Sequence, residues 1–250
     1  MKKIITVTLL SLLCISGIYA AGRPFVVLRE GKKQQIQSIT ADANGTVKYV
    51  IRGGITVKKK VGQYIYARAP MPNNVKEAAK KYRARSYKDA AAAFNEAFKT
   101  ARYLGWGSYC MYYAAKSQES RDKPAEAIAM LAQLKEMPVD PEEVPYFLKA
   151  KKMEAAFLIK EKKMDDALKV LGVITKASDT ETAMFANNAK GDILLAQKKD
   201  KEALYMYLRN LILFNPDKSS GEFMKAIDKA VEILKARNDP RAAEYEKLKQ

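Results

Sequence analysis

At 250 residues, 48% of them hydrophobic, the chain is long enough to bury a sizeable core without disulfides. It has no histidine, which excludes Ser-His-Asp and Cys-His nucleophilic systems and histidine-ligated metal sites. Its 45 Lys and Arg against 28 Asp and Glu leave a formal charge of +17, which favours anionic partners.

Lys2 and Lys3 precede a mostly apolar run from Ile4 to Ile18, and small residues follow at Ala20, Ala21 and Gly22. This charged, apolar, small order predicts a secretory signal peptide over residues 1–20, cut after Ala20 or after Gly22. The run is shorter than the roughly 20 residues a membrane span needs, so export to a periplasmic or secreted location is expected, with no span after cleavage. Cys14 follows Leu12-Leu13 rather than a small residue, which disfavours lipid attachment. If Cys14 leaves with the signal, Cys110 remains alone; set among Tyr109, Met111, Tyr112 and Tyr113, it is expected to be buried and inert.

Residues 21–72 read as a small basic β module. Ten Lys and Arg stand against Glu30 and Asp42 there. Five short β-branched and aromatic runs, beginning at Phe25, Ile36, Val47, Ile55 and Tyr64, are separated by glycine turns. Asn44-Gly45 is a two-residue hairpin signal, and Gly53-Gly54 turns the chain again. The spacing predicts a small antiparallel barrel or sheet, SH3-like in size. Lys32, Lys33, Lys48, Lys58, Lys59 and Lys60 are candidate contacts for an anionic ligand. Export ranks acidic glycans, lipid headgroups and acidic proteins above nucleic acid. The competing structural reading is that these lysines protect strand edges from pairing with other chains.

From Asn73 onward Ala, Lys, Glu, Leu and Met dominate at helical spacing, so residues 73–250 are expected to be α-helical. Small residues at Ala90, Ala127, Ala167, Ala203 and, more weakly, Ala243 recur every 36 to 40 residues. Twelve residues before each stands Ala78, Ala115, Ala155, Gly191 or Val231. Two helices approach closely only where a side chain is tiny, and a large residue four positions on, such as Phe94, Leu131, Leu171 or Tyr207, fills the space left. The segment Tyr87 to Ala97 is similar to the second helix of a tetratricopeptide repeat, and Gly191 with Ala203 and Tyr207, closing at Asn215-Pro216, is the nearest match to that pattern. Trp106 lies in an inter-repeat turn, Gly105-Trp106-Gly107, rather than at the family's usual first-helix position.

The chain therefore resembles an array of four to five tetratricopeptide-like hairpins, and the expected fold class is α+β: the β module followed by an α-α solenoid. The resemblance implies a scaffold whose first helices line a groove for a protein or peptide. Carried over by position, the groove residues are Tyr82 and Arg83, then Tyr109, Tyr112 and Lys116, then Lys149, Lys152 and Lys160, then Phe185 and Asn188. Asn187 and Asn188 do not reproduce the arrangement by which part of the family grips a carboxylate.

Asp165-Asp166 and Glu142-Glu143 are expected to cap helix N-termini rather than to hold a metal or act as acid and base. With no phosphate-binding glycine loop, one mature cysteine and no histidine, neither an enzyme nor a cofactor is expected. Two functional readings remain: an exported adaptor with a protein partner in the helical groove, or a binding protein for an anionic ligand through the β module.

Overall fold

The structure, a computed structural model, describes residues 23–135, 139–177, 179–214 and 220–249. The predicted signal peptide and Asn215-Pro216 lie outside these residues. Among the described residues no helix is long and apolar enough to cross a membrane.

The protein is α+β. Among the described residues six short strands form two antiparallel sheets instead of the barrel that the sequence left open. β1 (Phe25–Leu28), β2 (Lys33–Gln35) and β6 (Tyr64–Arg68) form one sheet in the order β2-β1-β6. β3 (Ser38–Ala41), β4 (Val47–Val50) and β5 (Thr56–Lys59) form the other, in sequence order. The extra strand appears because the run around Ile36 splits. Ile36 is buried and its N–H donates to the Pro24 carbonyl (3.0 Å), so Lys33–Gln35 joins one sheet and Ser38–Ala41 the other.

The Asn44-Gly45 turn differs in detail from the expected two-residue hairpin. The Asp42 N–H donates to the Thr46 carbonyl (3.1 Å), so three residues span the turn, and only Gly45 takes a positive φ, +82°. The Asp42 carboxylate accepts from the N–H groups of Asn44 and Thr46, both at 2.9 Å, and organises the loop as an Asx turn.

Among the described residues ten helices follow: α1 (Asn73–Arg83), α2 (Tyr87–Ala101), α3 (Gly107–Glu119), α4 (Pro124–Leu131), α5 (Val144–Lys160), α6 (Met164–Ile174), α7 (Thr180–Ala196), α8 (Asp200–Leu213), α9 (Gly221–Ala236) and α10 (Arg241–Lys247). They pair as five hairpins. Each hairpin turn holds one residue in the left-handed region: Arg85, Asp122, Lys162, Lys198 or Asn238, with φ between 54° and 60°. The following N–H reaches back five residues to a first-helix carbonyl, as in Ser86 to Lys81 (3.0 Å) and Lys163 to Leu158 (2.8 Å). This is a Schellman ending, and it satisfies carbonyls that the helix end would otherwise leave unpaired.

The small residues lie in the packed interior. Ala90, Ala127, Ala167 and Ala203 are fully buried, as are Ala78, Ala115 and Ala155; Gly191 and Val231 are buried too. In the last hairpin the register differs by one residue, because Ala243 is exposed and Ala242 is buried. The short α10, seven residues long, packs on α9 through Ala242 and Tyr245. Among the described residues each first helix touches the first helix of the next hairpin, most extensively α3 with α5, and successive second helices touch less.

One apolar core runs from Val26, Val47 and Tyr49 in the sheets through Phe94, Met111 and Phe147 to Leu171 and Ile193, crossing the expected boundary at residue 72. Trp106 is the joint. Its indole N–H donates to the Ala69 carbonyl (2.9 Å), and the Arg68 guanidinium lies 4.8 Å from its ring. Arg68, buried, also donates to the Gly105 carbonyl (2.7 Å) and pairs with the buried Asp140 and the exposed Glu142, both at 3.0 Å. Removing one partner of such a buried pair typically costs about 3–5 kcal/mol, so this triad ties the last strand to the segment entering α5. Cys110 is fully buried as expected, and that burial pushes its thiol pKa up.

Candidate partner-binding groove

The first helices carry a run of half-buried tyrosines. Tyr82 on α1 sits 5.1 Å, edge-on, from Tyr113 on α3. Tyr113 is 4.6 Å from Tyr109 and 5.2 Å from Tyr112, and it stacks on the buried Phe94 of α2 at 5.8 Å. Tyr146 on α5 meets Tyr109 at 4.9 Å and Tyr112 at 5.9 Å. Most of these contacts are edge-to-face or tilted, the arrangements ring quadrupoles favour.

Helix geometry explains the convergence. Tyr109, Tyr112, Tyr113 and Lys116 occupy one side of α3 by i, i+3 and i+4 spacing. Tyr146 and Lys149 do the same on α5, three residues apart. Tyr109, Lys149 and Phe185 stand equally far before the left-handed residues Asp122, Lys162 and Lys198, so they are the same position in three successive hairpins. One repeat position is thus filled in turn by an aromatic, a cation and an aromatic, and the rest of the cluster gathers around the first of these.

The cations lie against the rings. The Lys116 ammonium is 5.7 Å from the Tyr112 ring centre, Lys149 is 5.3 Å from Tyr146, and Lys152 is 4.4 Å from Phe185. Burial works against the charge on Lys116, but the nearby phenols of Tyr112 and Tyr82, with Glu119, outweigh it and raise its pKa. Burial raises the Tyr82 phenol, which stays protonated and able to donate. Among the described residues Lys116 and Lys149 have no carboxylate within salt-bridge distance, whereas Lys152 lies 4.0 Å from Glu222.

The residues expected to line a groove therefore divide. Tyr82, Tyr109, Tyr112 and Lys116 come together, Lys149 adjoins them through Tyr146, and Lys152 continues the surface to Phe185. Arg83 and Lys160 are exposed near the hairpin turns, away from the tyrosines; Lys160 instead lines a small hollow with Glu119, Asp122 and Phe157. Asn188 presents nothing to a ligand. It is fully buried, its amide donates to the Glu222 carbonyl and carboxylate (2.8 and 2.9 Å), and its oxygen accepts from Asn210 (2.8 Å). Tyr113 and Tyr146 belong to the cluster although sequence reasoning did not place them there. The i, i+3 spacing of Tyr146 to Lys149 was the available signal, and Tyr113 was obscured by standing next to Tyr112.

A second concavity, a cleft of about 580 Å3, opens between β6 and the α2–α3 region, with Tyr64, Tyr66, Phe98, Tyr103, Asp140 and Glu143 among its walls. Its acids serve the fold. The Glu143 carboxylate accepts from the Ser108 N–H at 2.5 Å, so it caps α3, although by position it precedes α5. Glu142 pairs with Arg68. Burial raises the Glu143 pKa, only partly opposed by the Ser108 hydrogen bonds. Asp165 and Asp166 also depart from the capping expected of them. They lie in the first turn of α6, where the helix dipole favours them, but the N-cap residue is Lys163 with no side-chain cap, and Asp166 pairs with Lys169 at 3.0 Å.

Of the lysines expected to bind anions, Lys48 and Lys58 lie directly opposite one another on β4 and β5. Lys33 sits 3.7 Å over the Phe25 ring, Lys59 pairs with Val47 on the other face, and Lys32 lies in the turn of the other sheet. Compared with known proteins, the chain matches no family model, no curated protein and no solved structure.

Proposed function

We propose that this protein is an exported, non-catalytic scaffold whose five hairpins form a tetratricopeptide-like solenoid holding an acidic peptide segment of a partner against its first helices. One observation carries the reading: a continuous surface of half-buried tyrosines on α1, α3 and α5, flanked by Lys116 and Lys149, neither of which has a carboxylate of the described residues within salt-bridge distance. Tyrosine offers large contact area at low entropic cost, and aromatic anchors beside cations are the usual centres of binding energy. The contacts between successive first helices, without matching contacts between second helices, support a curvature that places these rings on the inner side. Export rests on the order of residues 1–22.

A photoreactive amino acid at position 116, introduced in producing cells, is expected to crosslink a partner that a probe at the exposed Lys169 does not capture. In binding to that partner, Tyr112→Ala with Lys149→Ala is expected to lose at least about 30-fold, the equivalent of roughly 2 kcal/mol. Equal capture at both positions, or binding within twofold of the unmodified chain for the double variant, would sink the groove reading.

A further inference from the structure

We propose that the outer face of the β3-β4-β5 sheet is a docking surface for an anionic polysaccharide, independent of the helical groove. The strand register sets Ser38 beside Val50 and Thr56, and Thr40 beside Lys48 and Lys58. Because side chains alternate across a strand, these six share one face, while Ile39, Val47, Tyr49 and Val57 point to the other. Val47 and Tyr49 are buried, so the inner face is core; Ser38, Thr40, Lys48, Thr56 and Lys58 are exposed. Lys60, two residues past Lys58 and also exposed, extends the row.

The placement of Lys48 is informative. Like charges directly opposite on neighbouring strands repel, and no ion pair among the described residues involves Lys48, Lys58 or Lys60. Lysines on an edge strand guard against pairing with another chain, which accounts for Lys58 on β5. It does not account for Lys48, because β4 is the central strand of its sheet and has no free edge. A repulsive pair there is relieved when an anion lies across both ammonium groups.

The rest of the face selects the anion. Three hydroxyls share the face with the cations, Ser38 and Thr56 in the neighbouring row and Thr40 beside Lys48, whose carbonyl it meets at 3.4 Å; together they suit a ligand rich in hydroxyls and acidic groups. Bases of single-stranded nucleic acid need aromatic platforms, and this face presents none, since Tyr49 is turned inward. Binding at a bilayer surface draws on inserted apolar side chains; within its strands the face offers only the half-buried Val50, and the exposed Ile55 stands in the turn before β5.

The test uses the full chain and immobilised heparin as the polyanion, with salt titration. Lys48→Ala with Lys58→Ala is expected to weaken binding about 10-fold or more and to flatten the salt dependence. Lys32→Ala with Lys59→Ala removes the same charge from other surfaces and is expected to change binding less than twofold. Thr40→Val with Thr56→Val is expected to weaken binding several-fold at unchanged salt slope, a loss that charge alone would not produce. Circular dichroism confirms that each variant is folded. Equal losses in the two lysine variants, or no loss in the threonine variant, overturns the proposal. So does tighter binding to phosphatidylglycerol vesicles or to a single-stranded oligonucleotide at the same ionic strength.

Discussion

The ring of Tyr207 occupies the space that a side chain on Gly191 would need: a Cβ at that glycine would stand 2.6 Å from the Tyr207 Cζ. Tyr207 is fully buried, and its hydroxyl donates to Asp192 at 2.7 Å, so the ring is held in place. Among the described residues, no other helical glycine would bring an added Cβ so close to a neighbouring helix.

Gly191→Ala is therefore expected to destabilise the protein by about 1–3 kcal/mol, the usual cost of forcing a carbon into a packed core. Urea denaturation checks this. The added cost of Gly191→Ala should shrink in a Tyr207→Leu background, where the blocking ring is gone. An unchanged cost in that background would show that the ring is not the cause.

The hairpin turns lead to an opposite expectation. Arg85, Lys162 and Lys198 hold left-handed backbone that costs an L-residue with a side chain roughly 1–2 kcal/mol. Glycine removes that strain at a smaller entropic cost, so Lys162→Gly and Lys198→Gly should each stabilise by about 0.5–1 kcal/mol. Asn238→Gly should gain less, because asparagine enters this region more readily. A lowered melting temperature for the two lysine variants would contradict the turn geometry.

Glu143 predicts a pH dependence. Burial raises its pKa in the folded protein above the ordinary 4.5, so just above that value the native state holds a proton the unfolded chain has released. Its contribution is most favourable below pH 4.5 and declines as pH rises through the folded pKa. Glu143→Gln keeps an oxygen for the Ser108 N–H and removes the desolvated charge. It should raise stability by about 1 kcal/mol at pH 7, with the advantage fading toward pH 4. Paired denaturant titrations at the two pH values give the comparison; an advantage that grows on acidification would refute the assignment.

Much of the helical half was legible because its rule is local. A tiny residue at a crossing and a large one a turn later is a pattern written within eight residues, and its recurrence located Ala90, Ala127, Ala167 and Ala203 in the interior. The last repeat was misread by one residue, since Ala242 and Ala243 are equivalent as letters and only the packing of the short α10 on α9 distinguishes them. Asn188 was misplaced for a related reason. Helical spacing reports which side of its own helix a residue occupies, and it cannot report that Asn210 and Glu222 arrive from later helices to enclose it.

By itself, then, the sequence determined the α+β class, the division between short strands and paired helices, the period of the pairs and the burial of Cys110, because each follows from neighbours along the chain. The tertiary structure alone decided that the strands form two sheets, that Trp106 and Arg68 weld them to the helices, that Tyr113 and Tyr146 complete the tyrosine surface, and that Lys48 and Lys58 face each other while Lys59 turns away. Those relationships join residues on different elements, and their distances depend on how the elements pack, which no local spacing encodes.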